Sequence, residues 1–506
     1  MNFKKKYTIP KMLTIEDNSS LTNTVHTSTN NQPNSSFTIG LFGIGLDTYW
    51  PQFDGLKSRL EGYLDDVVQN LSAIHPNVIN AGLIDTIDKA FDAGKMFRKQ
   101  DVDLIILYVT TYALSSTVLP VVQRAKVPVL ILNLAPEASI DYEAFNTMTD
   151  RTKMTGEWLA FCSACPVPEI ANVFNRAGIK FHQVTGMLHD DEECWDEIKE
   201  WVDAAKVANT MFYNRLGCMG HYYSGMLDIY SDLTQQYATF GGHIELIEVE
   251  ELASLRKEVT ENETQDRIRL FYESFDVQQD CSEEELQKAA ITSVALDRLV
   301  EKYQLGSIAY YYKGTGNIEN EEAIASIILG NSLLTARGIP VAGEYEIKNA
   351  QAMKIMDSFG AGGSFTEYYA MDYNDDIILM GHDGPGHIAI AEGKTKVRPL
   401  GVYHGKVGQG LSVEMSVKNG PVTLLSVVET KQGLMLLVAE GQSVEGPILQ
   451  IGNTNSRYKF SIGARSFVND WNMHGPAHHC AVGIGHIGSK IQKLGELLNM
   501  EVVKVC

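Results

Sequence analysis

The sequence predicts an α/β protein: two Rossmann-like units with parallel sheets, followed by a β-rich, antiparallel, barrel-like C-terminal part. Two observations predict the first half. Short runs such as FTIGLF (37–42), DLIILY (103–108) and VPVLILNL (127–134) are apolar almost throughout. They alternate with amphipathic helical stretches, the pattern of a parallel sheet covered by helices on both faces. The third observation concerns the end of the chain. After Phe365 the helical period gives way to short β segments separated by Gly, Asn and Lys.

The chain opens with MNFKKKYTIP, which is basic but has no apolar run behind it. Residues 11–36 are rich in Asn, Ser and Thr, so 1–36 is expected to be a disordered arm. A strand at 37–42 leads into a glycine loop. Leu56, Leu60, Tyr63, Leu64, Val67 and Leu71 then share one helical stripe. A weaker strand near 78–81, a helix over 84–98, the strand 103–108, a helix near 118–124 and the strand 127–134 follow. The unit closes with a strand at 178–184 and a helix at 191–207.

A second alternating block is expected from 208. It comprises 208–214, 226–237, a long helix at 282–303, a strand at 307–312, a helix at 320–335 and a strand at 339–342. The acidic stretch 248–264 reads as a solvated helix and loop. Short β segments are expected at 376–380, 400–403, 411–417, 421–429, 433–440 and 447–451. A helix at 484–498 and a terminal strand finish the chain. These give expected domains at 37–207, 208–363 and 364–506, in line with about 100–200 residues per domain.

Composition narrows the partners. A net charge of −21 disfavours a nucleic-acid backbone or an anionic membrane and suits cation binding. No apolar run of membrane-spanning length occurs, so no span is expected. Seven scattered cysteines show no framework spacing, which points to a reducing, cytoplasmic compartment. Cys162-Ser-Ala-Cys165 has CxxC spacing, but with no second pair it reads as two thiols in a helix.

Two glycine motifs invite a ligand reading. Gly40-x-x-Gly43-x-Gly45 lacks the G-x-G-x-x-G spacing and is better read as a tight turn. Gly217-Cys-Met-Gly220-His221 is either a substrate loop or a turn needing positive φ. Loops beyond the strand carboxyl ends, with Asp47, Tyr49, Trp50 and 108–112, are further contributors to a crevice.

The chemistry concentrates between Gly343 and Gly386. Glu344, Glu367 and His382 each fall where an element meets a loop, and His474-Gly-Pro-Ala-His478-His479 supplies imidazoles far downstream. Glutamate oxygens and histidine nitrogens without a cysteine pair suit a hard or borderline divalent cation such as Mn²⁺. Each of these residues alone has an ordinary structural role as an alternative, for instance a carboxylate at a helix start.

Gly343-Glu344-x-x-x-Lys348, Ser364-Phe365-x-Glu367, Gly381-His382 and Ala477-His478-His479 are similar in order and spacing to the L-arabinose isomerase family. That family belongs with the L-fucose isomerase-like sugar isomerases. The resemblance covers the chain after its N-terminal arm and is stronger in the C-terminal half. It implies a Mn²⁺ site, open to other divalent cations, formed by Glu344, Glu367, His382 and His479, with His478 in support. It gives Glu344 and Glu367 the proton transfer, and it places Glu346 and Phe365 at the substrate pocket. It also implies a free sugar as substrate, interconverted between aldose and ketose, and a homo-oligomer, a hexamer in that family.

The resemblance has gaps. Family members carry a Glu three residues after the strand-end histidine, where this chain has Pro385. The segment His382-Asp383-Gly-Pro385-Gly-His387 departs from the family pattern, so Asp383 and His387 are either new substrate contacts or turn residues. A sugar-binding or sensing protein, or a metal-dependent epimerase or lyase, is the alternative to an isomerase.

Overall fold

The computed structural model describes residues 37–506 apart from 404–405 and 408. The expected arm at 1–36 lies outside the described residues. Strand Ile39–Ile44 is buried along its whole length; helix Leu56–Ile74 packs Leu64, Val67 and Leu71 into the core that holds Ile39 and Leu41, and Leu56 and Leu60 against Leu159 and Ala160. Strands Val78–Ile84, Leu104–Tyr108, Val129–Ala135 and Phe181–Met187 complete a five-stranded parallel sheet. In chain order its strands lie 2-1-3-4-5, the doubly wound order. The expected helix at 84–98 starts later, at Ile87, because Thr86 caps it and Ile84 belongs to the preceding strand.

A second parallel sheet holds Arg215–Gly220, His243–Ile247, Ser307–Tyr311 and Val341–Ala342. Three expectations change here. The helix expected to end at 207 runs on as Glu192–Tyr213 and absorbs most of 208–214. Residues 226–232 are turns, and the helix is only Leu233–Phe240, capped by Asp232. The helix expected at 320–335 is broken into Ile318–Ala325 and Ile328–Ala336.

The C-terminal part is a closed antiparallel barrel of six strands: Gly362–Asp372, Ile377–His382, Thr454–Phe460, Gly433–Val444, Gly420–Thr430 and Cys480–Ile484. Strand Glu501–Lys504 pairs parallel to Gly433–Val444 on the outside. Residues 447–451 form no strand, and helix Ala464–Met473 stands where none was expected. Closure pairs both edges of the six barrel strands among themselves and leaves Glu501–Lys504 as the edge.

Helix Ile347–Ser358 lies between the second sheet and the barrel and is buried from Ile347 to Met356. It nevertheless carries Lys348, Asn349, Gln351 and Lys354. Lys354 is satisfied by donating from Nζ to the Gly338 carbonyl at 2.9 Å. The Cys162–Cys165 pair is a disulfide between two helices, not a pair of thiols within one. Among the described residues no helix is long and apolar enough to cross a membrane.

Candidate metal centre

Barrel register assembles most of the site. Strand Gly362–Asp372 lies between Ile377–His382 and Cys480–Ile484, pairing Glu367 with Gly381 and Thr366 with Cys480. Glu367, His382 and His479 therefore meet at one end of three neighbouring strands. Gly381 is required for this: a Cβ there would overlap the Thr454 carbonyl of the next strand. His382 is fixed on the same strand, since its N–H donates to Thr454 Oγ1 and that hydroxyl donates to its carbonyl, both at 3.0 Å.

Glu344 arrives from the second sheet, just past Val341–Ala342. Glu344 (φ 55°) and Tyr345 (φ 62°) are consecutive non-glycine residues in left-handed backbone. Such a turn costs on the order of 1–2 kcal/mol per residue and persists where surroundings enforce it. Here Tyr345 N–H donates to the Tyr310 carbonyl at 2.9 Å, and Tyr345 packs edge-on against Tyr222 at 4.8 Å. The strained turn aims the Glu344 carboxylate at the histidines.

The donor atoms converge. Glu344, His382 and His479 each contribute one within 4.8 Å of the others, and so do Glu367, His478 and His479. His479 Nε2 lies 3.5 Å from Glu344 Oε2 and 3.9 Å from Glu367 Oε2. His382 Nε2 is 3.9 Å from Glu344 Oε1. Phe365 lies between the imidazoles, stacked on His479 at 4.3 Å and edge-on to His382 at 4.5 Å.

Protonation follows from burial. Burial pushes the Glu344 carboxyl up to about 8, with Glu346 and Glu367 adding repulsion. Burial also raises Glu367, but the hydrogen bond from His478 and the nearby imidazoles outweigh it and hold the carboxyl below its usual range. His478 Nε2 is 2.6 Å from Glu367 Oε2, and that bond raises the imidazole. Burial lowers His382 and takes His479 down to about 3, so both are neutral at physiological pH. Neutral imidazoles and a cluster of carboxylates fit a divalent cation, and His479 Nε2 has no hydrogen-bond partner among the described residues.

The remaining expected site residues sit behind this layer. Glu346, expected at the substrate pocket, is fully buried and hydrogen-bonded through Oε2 to His479 Nδ1. Its position supports the His479 imidazole. Asp383 turns back on His382: its carbonyl accepts from Nδ1, and its Oδ1 is 3.3 Å from the same nitrogen. His387 is buried with Nε2 3.8 Å from Asp357 Oδ1, and its backbone N–H donates to Ser364 Oγ at 3.3 Å. Those contacts tie it to helix Ile347–Ser358 and strand Gly362–Asp372. His478 is half exposed and His479 fully buried, which separates the two imidazoles by role.

Two other loops were expected to contribute. Trp50 Nε1 donates to Asp85 Oδ2 at 2.9 Å and Ile44 N–H to Thr110 Oγ1 at 3.1 Å, so these residues bind one another at the first sheet's carboxyl edge. Gly217 to Gly220 belong to a strand, not a loop. Sequence reasoning missed Asp228, whose Oδ2 accepts the His478 N–H at 2.8 Å. An exposed aspartate in a turn-rich segment carries no signal of such a contact.

Parts of the chain are similar to known proteins. Residues 362–501 match the L-arabinose isomerase C-terminal domain. A sulfoquinovose isomerase from Alkalicoccus urumqiensis is 26% identical over 176 residues, 34% of this chain and 39% of that protein. The L-arabinose isomerase of Bacillus subtilis (strain 168) is 20% identical over 351 residues, 67% of this chain and 69% of that protein. The match thus spans less than half of the first relative and about two thirds of the second. The barrel and the Glu/His cluster thus stand in a chain whose residues 362–501 match the L-arabinose isomerase C-terminal domain and which is similar, at low identity, to two sugar isomerases.

Proposed function

We propose that the protein is a metal-dependent aldose–ketose isomerase acting on a free sugar, an L-arabinose-like pentose or a related hexose. One observation carries this reading: two carboxylates and two neutral imidazoles converge where His479 is common to both donor groups. Glu344, Glu367, His382 and His479 would hold Mn²⁺ or another divalent cation. Such a cation supplies Lewis-acid polarisation of a carbonyl and of the charge that develops on enediol oxygens.

The protein's own groups account for the proton. Interconversion moves it between C1 and C2 of the sugar through a cis-enediol. The two carboxylates have environments that push their proton affinities apart, the arrangement that separates an acid from a base. Glu344, once ionised in the ligated site, is suited as the carboxylate that takes the proton from one carbon and returns it to the other, its raised proton affinity making it the stronger base of the two. Glu367 stays ionised against His478. A positioned acid–base group of this kind contributes about 10²–10⁴-fold.

The two relatives act, by their names, on different sugars, so the substrate panel spans aldopentoses, aldohexoses and a sulfonated hexose. Incubation with Mn²⁺ in heavy water, followed by NMR, is expected to show a ketose carrying solvent deuterium at the carbon beside its carbonyl. Sugar-induced stabilisation with no exchange at C1 or C2 would indicate a binding protein instead. Assembly into a hexamer belongs to the same reading, and light scattering measures it.

A further inference from the structure

We infer that Asp228 is a positioning residue for the His478–Glu367 pair, held in place by a buried lysine; this rests on the metal-isomerase reading above. Asp228 lies in the segment 221–232, which runs as turns from the end of strand Arg215–Gly220 to helix Leu233–Phe240. Most of this segment is in water: Leu227 is 76% exposed. It is nevertheless tied down at several places, three of which bear on Asp228.

The first tie is at its start, where Tyr223 N–H donates to the Glu344 carbonyl at 3.4 Å. The last is at its end, where Ser231 Oγ and Asp232 N–H donate to Glu429 at 2.8 and 3.2 Å. The middle tie is Lys348. Its ammonium donates to the Asp228 carbonyl, although Lys348 is only 2% exposed. A buried ammonium needs a partner, because desolvation otherwise costs several kcal/mol. Lys348 therefore fixes the backbone of Asp228 from below.

With the backbone held there, the carboxylate lies within reach of the His478 main chain. Asp228 Oδ2 accepts from the backbone N–H of His478 at 2.8 Å, a charge-assisted bond that fixes the main chain carrying the imidazole. His478 Nε2 in turn holds Glu367 Oε2 at 2.6 Å. The relay Lys348, Asp228, His478, Glu367 sets where the Glu367 carboxylate rests relative to His479. Groups hydrogen-bonded to a ligating carboxylate, as His478 is to Glu367, change metal affinity or activity by about 10–100-fold when lost, and Asp228 acts one step behind through the His478 main chain.

The test compares Asp228→Ala, Asp228→Asn and Leu227→Ala in the full chain. Asparagine keeps an oxygen acceptor for the His478 N–H and removes the charge. Leu227→Ala alters the same segment without touching the pair. Three quantities are read: histidine ring signals by NMR, with His478 assigned from its loss in His478→Gln; Mn²⁺ affinity by calorimetry; and kcat and KM for ketose formation.

Asp228→Ala is expected to move the His478 signal, weaken Mn²⁺ binding about tenfold, and lower kcat more than it raises KM. Asp228→Asn should restore most of each, and Leu227→Ala should match wild type. An unmoved His478 signal with wild-type Mn²⁺ affinity in Asp228→Ala overturns the inference. If the alanine variant does not fold, Asp228→Glu displaces the acceptor by a methylene, and an unmoved signal there overturns it equally. Wild-type protein that neither binds Mn²⁺ nor makes ketose refutes the isomerase reading alone; the His478 signal then decides the role of Asp228.

Discussion

His479 Nδ1 and Glu346 Oε2 share a hydrogen bond in a fully buried pair. Burial pushes the Glu346 carboxyl up to about 8. With that carboxyl protonated, it donates to Nδ1, and Nε2 keeps the ring hydrogen. When it ionises, Nδ1–H donates and Nε2 presents a bare lone pair toward Glu344 and Glu367. The pair thus decides whether His479 can act as a ligand.

Removing that support should weaken the site without dismantling it. Glu346→Ala leaves a buried imidazole nitrogen unpaired, and Mn²⁺ affinity is expected to fall about 10–100-fold. Calorimetry reads the affinity, and circular dichroism checks the fold. Unchanged affinity would show that His479 needs no orienting partner.

Metal binding should release protons. Glu344 and Glu346 both stand at about 8 in the metal-free protein, so at neutral pH each holds a proton that a ligated site must give up. Titrations in buffers of different ionisation enthalpy are expected to report release of about one proton or more per Mn²⁺. The linkage also has a sign for stability. A carboxyl raised from 4.5 to about 8 favours the folded state least once it must ionise, so metal-free stability falls as pH rises across that window. Urea midpoints at pH 5 and pH 8, taken with a chelator, check this; added Mn²⁺ should remove the loss at pH 8.

Glu344→Gln and Glu367→Gln should each lower turnover by about 10²-fold or more while the fold remains intact. The rate assay is ketose formation, with thermal unfolding as the control. Wild-type-like rates in either variant would refute the roles given to these carboxylates.

Much of this fold was visible before the structure. Three strands of the first sheet, Ile39–Ile44, Leu104–Tyr108 and Val129–Ala135, are apolar on both faces and flanked by helical stripes, so their order in the chain was plain, while the outer strands Val78–Ile84 and Phe181–Met187 are more polar and gave a weaker signal. The barrel was harder. Strand Gly362–Asp372 begins with glycines that read as a loop, and Thr454–Phe460 presents Thr454, Asn455, Ser456 and Arg457 to a buried interior. Alternation of apolar and polar residues fails where polar groups are hydrogen-bonded inside, as when Asn455 Nδ2 donates to the Leu449 carbonyl at 2.8 Å. For the site, Glu344, Glu367, His382 and the terminal imidazoles were legible from loop-edge placement and family resemblance. The left-handed Glu344-Tyr345 turn and the support given by Glu346 and Asp228 depend on contacts distant in sequence, and no local pattern encodes them.

Gly381→Ala tests the barrel's part in the site. The added Cβ would overlap the Thr454 carbonyl, forcing apart the strands that carry His382 and its Thr454 anchor. A loss of about 1–3 kcal/mol is expected, as for overpacking elsewhere. Mn²⁺ affinity should fall with it. Denaturant unfolding measures the first and calorimetry the second.

Anomalous diffraction at the manganese edge, on crystals soaked in Mn²⁺, bears most directly on the shared-cation claim. One peak is expected, bounded by Glu344, Glu367, His382 and His479. No peak there, or a peak held by other residues, would contradict it.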